Sequence, residues 1–219
     1  VTAVTAAAPE ARRTTRPRAD ALRNRERIVV AARELFVEYG PEAPLDEIAR
    51  RAGIGNATLY RHFPDRNALI HDVVLFVMAR ATDHAERIAT EESDPFHALR
   101  RFVHIAADER IGALCPLLSN AFDSDHPDLY AGRERLEEAV EGLMERARKA
   151  GRLRTDVAVG DLMVALSQLT RPLPGTGCLT MDRFAHRHLQ LFLDGLEAPV
   201  RSELPGSAAT LEDLRRAAP

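Results

Sequence analysis

The stretch from Leu45 to Pro64 constrains this chain more than any other, because two short amphipathic segments flank Gly53-Ile54-Gly55 and Pro64 closes the second. In the first segment Leu45, Ile48, Ala49 and Ala52 share one face, while Asp46, Glu47, Arg50 and Arg51 point away. That is the three-to-four spacing of a helix. The acids fall in its first turn and the arginines near its end, which suits the helix dipole. Glycine accepts the left-handed backbone that stops a helix abruptly, so a sharp bend at Gly53 leads into a second short helix from about Asn56 to Phe63. Upstream, Ile28, Ala32, Leu35, Phe36 and Tyr39 form the apolar stripe of a longer bracing helix, ended by Gly40 and Pro41. A braced pair of short helices joined by a glycine turn is a helix-turn-helix, whose second member lies in the major groove of DNA.

The side chains of that second helix suit the task. Its leading residues Asn56, Ala57 and Thr58 are small and mostly polar, as a helix that reaches base edges with its first turns requires. Tyr60 and His62 offer hydrogen-bonding groups to phosphates or bases, and Leu59 and Phe63 face back to hold the helix on its support. Arg61, and Arg66 at the start of the next helix, are placed to reach phosphates.

The run Ile48-Ala49-Arg50-Arg51-Ala52-Gly53-Ile54-Gly55-Asn56-Ala57-Thr58-Leu59-Tyr60-Arg61-His62-Phe63-Pro64-Asp65-Arg66-Asn67-Ala68-Leu69 resembles the DNA-binding signature of the tetracycline-repressor (TetR) family. The resemblance covers residues 21 to about 70 by motif and residues 71 to 197 by helix count and order. It implies an all-helical homodimeric transcriptional regulator with a helix-turn-helix head and a variable body holding an effector pocket and a dimer interface. By similarity Asn56, Ala57 and Thr58 occupy base-reading positions, and Tyr60, His62 and Arg66 backbone-contacting ones. Where the family often has a capping Ser or Thr at the start of the second helix, Pro44 and Leu45 stand here, so that phosphate contact is not carried over.

The rest of the chain reads as helices throughout. Asp65 caps a long fourth one to about Glu91, with Leu69, Val73, Val77, Ala81, Ala85 and Ile88 on one face. Further helices are expected over Pro95 to Glu109, Ala113 to Phe122, Pro127 to Ala150, Asp156 to Thr170 and Asp182 to Glu197, with a marginal one at Leu211 to Ala217. The organisation is an arm over 1–20, a DNA-binding domain over 21–66 with its motif at 44–63, an effector-binding and dimerisation domain over 67–197, and a loose tail over 198–219. The arm carries Arg12, Arg13, Arg16 and Arg18; it either tracks phosphates or the minor groove, or is a solvated terminus.

Composition narrows the function classes. Net charge is −3, but residues 1–66 hold 12 Arg against 9 Asp/Glu, net +3, whereas the remainder holds 18 Lys/Arg against 24 Asp/Glu, net −6. A basic head on an acidic body orients a molecule toward a polyanion. No uninterrupted apolar run approaches the roughly 18 residues of a membrane span, and no apolar N-terminal run resembles a secretory signal, so the reading is a soluble cytoplasmic protein without a membrane partner. Cys115 and Cys178 stand far apart, in no metal-ligand spacing, and the histidines read as core or solvated side chains. No metal and no cofactor are expected. Neither a nucleophile–base arrangement nor a phosphate-binding glycine loop points to an enzyme.

The resemblance implies a dimer face on the last two body helices, and the sequence permits it with Leu162, Ala165, Leu166 and Leu169 in one and Phe184, His188, Leu191 and Phe192 in the other. The alternative is that these stripes close the subunit's own core. An effector pocket is expected between the fourth and eighth helices, with Phe76, Phe102, His104 and Leu118 as candidate lining residues. Phe122, Tyr130, Met163 and Gln168 join them, and the aromatics favour a hydrophobic small molecule. The resulting expectation is a repressor that binds a palindromic operator and is released by that molecule. A regulator without an effector, or an activator, is the rival reading, and a helical enzyme with a vestigial DNA module a remote one.

Overall fold

The computed structural model describes residues 15–110, 126–170, 178–199 and 202–216. Its described residues form nine helices: α1 (Thr15–Tyr39), α2 (Leu45–Ala52), α3 (Asn56–His62), α4 (Arg66–Glu91), α5 (Pro95–Asp108), α6 (Pro127–Lys149), α7 (Val159–Leu169), α8 (Cys178–Leu196) and α9 (Leu211–Arg216). The only non-helical pairing among them is an isolated antiparallel bridge between Leu153 and Glu197.

The helix boundaries follow local chemistry. Asp65 accepts a hydrogen bond from the Ala68 amide at 2.8 Å and caps α4. Asp94 accepts from the Phe96 and His97 amides at 3.0 and 2.8 Å ahead of Pro95, whose missing N–H costs nothing at a first helical position. The amides held by Asp94, above all that of His97, keep its carboxyl below the ordinary aspartate range, and Arg152 adds to the effect. Asp161 reaches back to the Ala158 amide at 2.8 Å and starts α7.

Two apolar cores share one long helix. The head core joins Ile28, Leu35 and Phe36 of α1 to Ile48 of α2, Leu59 of α3 and Leu69, Ile70 and Val73 of α4. The body core joins Ala85 and Ile88 of α4 to Phe96, Leu99 and Val103 of α5, Leu143 and Met144 of α6, Leu162 and Leu166 of α7, and Leu189 and Leu193 of α8. α4, with 26 residues, runs about 39 Å and contributes to both. Val77 of α4 and Leu136 of α6 pack against both cores, and Leu129 at the start of α6 is buried in the head core.

Several expectations are corrected. Residues 15–20 belong to α1 rather than to an arm; residues 1–14 lie outside the described residues, as does the short helix expected over 113–122. The C-terminal segment is not loose. Arg154, buried to 6% exposure, donates to the Gly195 and Ser202 carbonyls at 3.2 and 3.0 Å and pairs with Asp156 at 2.5 Å. Residues 209–210 lie so close to α7 that a Cβ on Gly160 would stand 2.2 Å from the Ala209 carbonyl oxygen, and Leu211 packs on the body core. A glycine at 160 is what this approach requires.

Candidate nucleic-acid interface

The turn before α3 is built as its glycines suggest. Gly53 has φ 65° and ψ 40°, and its neighbour Ile54 donates to the Ala49 carbonyl at 3.0 Å, closing α2 in the left-handed manner. No side chain caps α2 at Pro44. α3 then presents two unlike faces. Leu59 is buried, and full burial of such a side chain stabilises the helix on its support by about 1.5–3 kcal/mol. Phe63 just beyond α3 is buried beside it, while Asn56, Ala57 and Arg61 are exposed, Thr58 and His62 half-buried, and the Tyr60 ring 50% exposed.

The polar residues of this surface are ordered by short bonds. Asn56 donates through Nδ2 to Asp46 Oδ1 at 2.8 Å, which links the leading end of α3 to α2, and Arg61 donates to Thr58 Oγ1 at 2.9 Å. Nearby arginines are largely engaged by acids: Arg50 with Glu47, and Arg51 with Glu34 and Glu38. The Arg50 hydrogen bond draws the Glu47 carboxyl below its ordinary range. Arg66 is a brace, its Nη1 donating to the carbonyls of Pro41 and Ala43 at 2.7 Å each. The phosphate contact expected of Arg66 would have to be made by its other guanidinium nitrogens or after release of these carbonyls.

Two residues escaped the sequence reading. Arg25 of α1 donates to the His62 carbonyl at 3.1 Å, pairs with Asp72 of α4 at 2.6 Å and lies 4.4 Å from the centroid of the Phe63 ring. Arg27 reaches the Gly53 carbonyl at 3.4 Å. Together they tie the end of α2 and the end of α3 to the bracing helix. No local pattern marks them, since their partners lie 37 and 26 residues away.

The expected dimer face divides. Leu162 and Leu166 are 2% exposed and, with Ala165, turn into the chain's own core, while Leu169 and Phe192 pack at its edge. Leu162, Ala165 and Leu166 are thus taken by intrachain packing, while Leu169 and Phe192 stay half-buried. Phe184 (48% exposed), His188 and Leu191 (60%) remain on one outward face of α8, with Val164 exposed on α7.

Among the described residues the pocket candidates are spread over both cores and the surface. Phe102 is buried in the body core, Met163 packs at its edge and Phe76 packs against the head core. Tyr130 and Gln168 are exposed, and Leu118 and Phe122 lie outside the described residues. His104 does meet other polar groups. Its Nδ1 stands 2.8 Å from His186 Nδ1 and its Nε2 3.3 Å from Gln190 Oε1, and His186 Nε2 stands 2.8 Å from Asp108. Gln190 donates to Asp194 at 2.6 Å, which turns its Oε1 toward His104 Nε2 as an acceptor. Beside it lies a cavity of about 120 Å³ lined by Ala107, Asp108, Arg110, Thr170, Ala185 and His186.

Known proteins share this architecture. A family model of bacterial regulatory proteins of the tetR family matches residues 28–73, and one of the SbtR-like transcriptional regulator C-terminal domain matches residues 94–198. A TetR transcriptional regulator from Streptomyces coelicolor is 32% identical, covering 80% of this chain and 99% of that one with a TM-score of 0.61. The chain belongs to the TetR family of transcriptional regulators. A second TetR-family structure, from Mycobacterium vanbaalenii, is 31% identical over 83% of this chain and 99% of its own, with a TM-score of 0.58. An HTH-type transcriptional regulator of Staphylococcus aureus is 35% identical over 92 residues, 42% of this chain and 48% of that protein. This TetR-family chain thus spans about half the length of the curated relatives it matches. No helix among its described residues is long and apolar enough to cross a membrane.

Proposed function

We propose that this TetR-family chain is a cytoplasmic repressor that binds a palindromic DNA operator as a homodimer and leaves it when a small molecule occupies the body. One observation carries the DNA reading: α3 exposes Asn56, Ala57, Tyr60 and Arg61 along one side while Leu59 and the Arg25 clamp fix its other side to the head. Asn56, Ala57 and Thr58 would read base edges; Tyr60, Arg61 and His62 would hold the backbone. The dimer reading is supported by the outward stripe Phe184, His188 and Leu191 with Val164, since large apolar side chains left exposed on adjacent helices suit a four-helix contact with a symmetry mate. The two cores support a division into head and body, but the head core reaches past residue 66 to Met78 of α4 and Leu129 of α6, so the boundary proposed between residues 21–66 and 67–197 runs through it.

The effector reading places a mainly apolar molecule with a polar group between α5 and α8, where Ala107 and Ala185 adjoin Asp108 and His186. A second reading, a regulator without an effector, draws on the size of that cavity as the described residues line it. About 120 Å³ is well under the roughly 300 Å³ at which ligand sites begin.

Selection of bound sequences from a random duplex pool tests the first claim. The expected result is a palindrome with half-sites about 34–36 Å apart or a multiple of that spacing. Protein that ignores every duplex at low salt would overturn it. Adding candidate hydrophobic ligands to a gel-shift assay then separates the two readings of the body.

A further inference from the structure

Where the first turns of α4 meet the start of α6, three side chains with metal-ligating atoms converge. His71, His126 and Asp128 each offer one such atom, and all three atoms lie within 4.8 Å of one another. The two histidines are 55 residues apart in sequence, so no spacing motif announces them.

The geometry suits a shared cation. His71 Nε2 and His126 Nδ1 stand 3.3 Å apart, with the rings edge to face at 4.5 Å between centroids. Two imidazole nitrogens bound to one tetrahedral zinc-type ion at about 2.0–2.1 Å stand about 3.3–3.4 Å from each other. As a hydrogen bond between ring nitrogens the same distance is long. The Asp128 amide lies 3.4 Å from His126 Nδ1, also long, so that lone pair is held only by weak contacts. Asp128 Oδ2 is 3.9 Å from the same nitrogen, on an exposed side chain.

A supporting carboxylate is in place behind the first histidine. Asp72 Oδ1 faces His71 Nδ1 at 3.7 Å, longer than a hydrogen bond; a proton on Nδ1 would point to this carboxylate and leave the Nε2 lone pair toward His126. The other oxygen of Asp72 takes Arg25 at 2.6 Å, and Arg25 holds the His62 carbonyl at the end of α3.

We propose that His71, His126 and Asp128 form a site for a divalent transition cation of the zinc class, with a fourth position open to water, and that its occupancy reaches α3 through Asp72 and Arg25. Two imidazoles and one carboxylate suit zinc, nickel or copper better than magnesium or calcium. The binding claim is independent of the operator reading; only the consequence for α3 rests on it.

Calorimetric titration of the metal-stripped full chain with ZnCl2, without DNA, tests the site. One saturable equivalent per chain is expected, absent in His71→Ala and in His126→Asn. Asparagine is a good N-cap, so the second variant keeps the start of α6 while removing the imidazole. Asp72→Asn is expected to weaken the affinity by about 10–100-fold. No saturable event in the native chain, or an equal one in both histidine variants, overturns the site. In gel shifts, zinc is expected to change duplex affinity of the native chain and not of His126→Asn. Zinc binding with unchanged duplex affinity overturns the relay alone, whereas failure to bind duplex with or without zinc overturns the operator reading and leaves the calorimetric result standing.

Discussion

Replacing Arg25 with alanine separates a brace from a DNA contact. The guanidinium makes three interactions: a hydrogen bond to the His62 carbonyl at 3.1 Å, an ion pair to Asp72 at 2.6 Å, and a stacking contact 4.4 Å from the Phe63 centroid. The side chains of Arg25 and Asp72 are 41% and 21% exposed, so solvent screens the pair and it contributes about 0.5–1 kcal/mol. The hydrogen bond adds about 1 kcal/mol and the cation–π contact about 0.5–1 kcal/mol. Because one group makes all three, the terms do not add fully, and about 2 kcal/mol is the expected cost of Arg25→Ala. In a chain of this size that lowers Tm by about 4–8 °C. Loosening the last turn of α3 should also weaken duplex binding about tenfold, near 1.4 kcal/mol. The salt dependence decides the cause. A lost phosphate contact would reduce the slope of log K against log salt by about 1, whereas a lost brace leaves the slope unchanged. An unchanged Tm together with a slope reduced by one would refute the bracing argument.

Tyr60→Ala should lower duplex affinity by about tenfold with Tm unaltered, because the ring is exposed and buries little on folding; a fall in Tm with affinity intact would contradict this. Glu109 gives a pH prediction: burial pushes its carboxyl up, but the Arg80 hydrogen bond and the charges of Arg33, Arg80 and His84 outweigh burial and hold it below the ordinary glutamate range. Its stabilisation is therefore complete above about pH 4.3 and lost as pH falls through the depressed value. Glu109→Gln should cost about 1–3 kcal/mol at neutral pH, with the gap to native closing in acid; a gap in thermal-melt stability that stays constant with pH would refute it. Gly160→Ala should expel residues 202–216 from α7, since the new Cβ meets a backbone carbonyl rather than a flexible side chain. Limited proteolysis should then cut that segment in the variant and spare it in the native chain.

What the sequence made legible is what local periodicity and turn chemistry control. The glycine turn at Gly53, the inward face of α2, the cap at Asp65 and the stripe Leu69, Val73, Ala81, Ala85 and Ile88 all follow from residues within a few positions of one another. The start of α1 at Thr15 was not legible, because the residues before Ala21 carry no apolar stripe. The dimer candidates divided in an instructive way. An apolar stripe states that a face is covered but not by what, so Leu162 and Leu166, which the subunit's own core takes, look the same in sequence as Leu191, which it leaves outside. Arg25, Arg66 and the His71–His126 pair were illegible for a third reason: their roles depend on partners 23 to 55 residues away, and one arginine reads like another until the fold chooses its acceptor.

Those long-range partners decide how the head can respond to the body. α1, α2, α3 and the first half of α4 share one close-packed core, and such cores shift between arrangements rather than deform smoothly. A head that moved as a unit would be expected to pivot near Val77 and Leu136, which touch both cores, and would carry Leu129 at the start of α6 with it. A second tie crosses the same junction. Glu109 at the end of α5 accepts from Arg33 of α1 at 2.7 Å and pairs with Arg80 of α4. A displacement at the end of α5 consequently pulls on the bracing helix directly, with α4 as the lever. Asp108, one residue before Glu109, lines the body cavity and meets His186, so a ligand that draws Asp108 inward acts on the residue next to this tie.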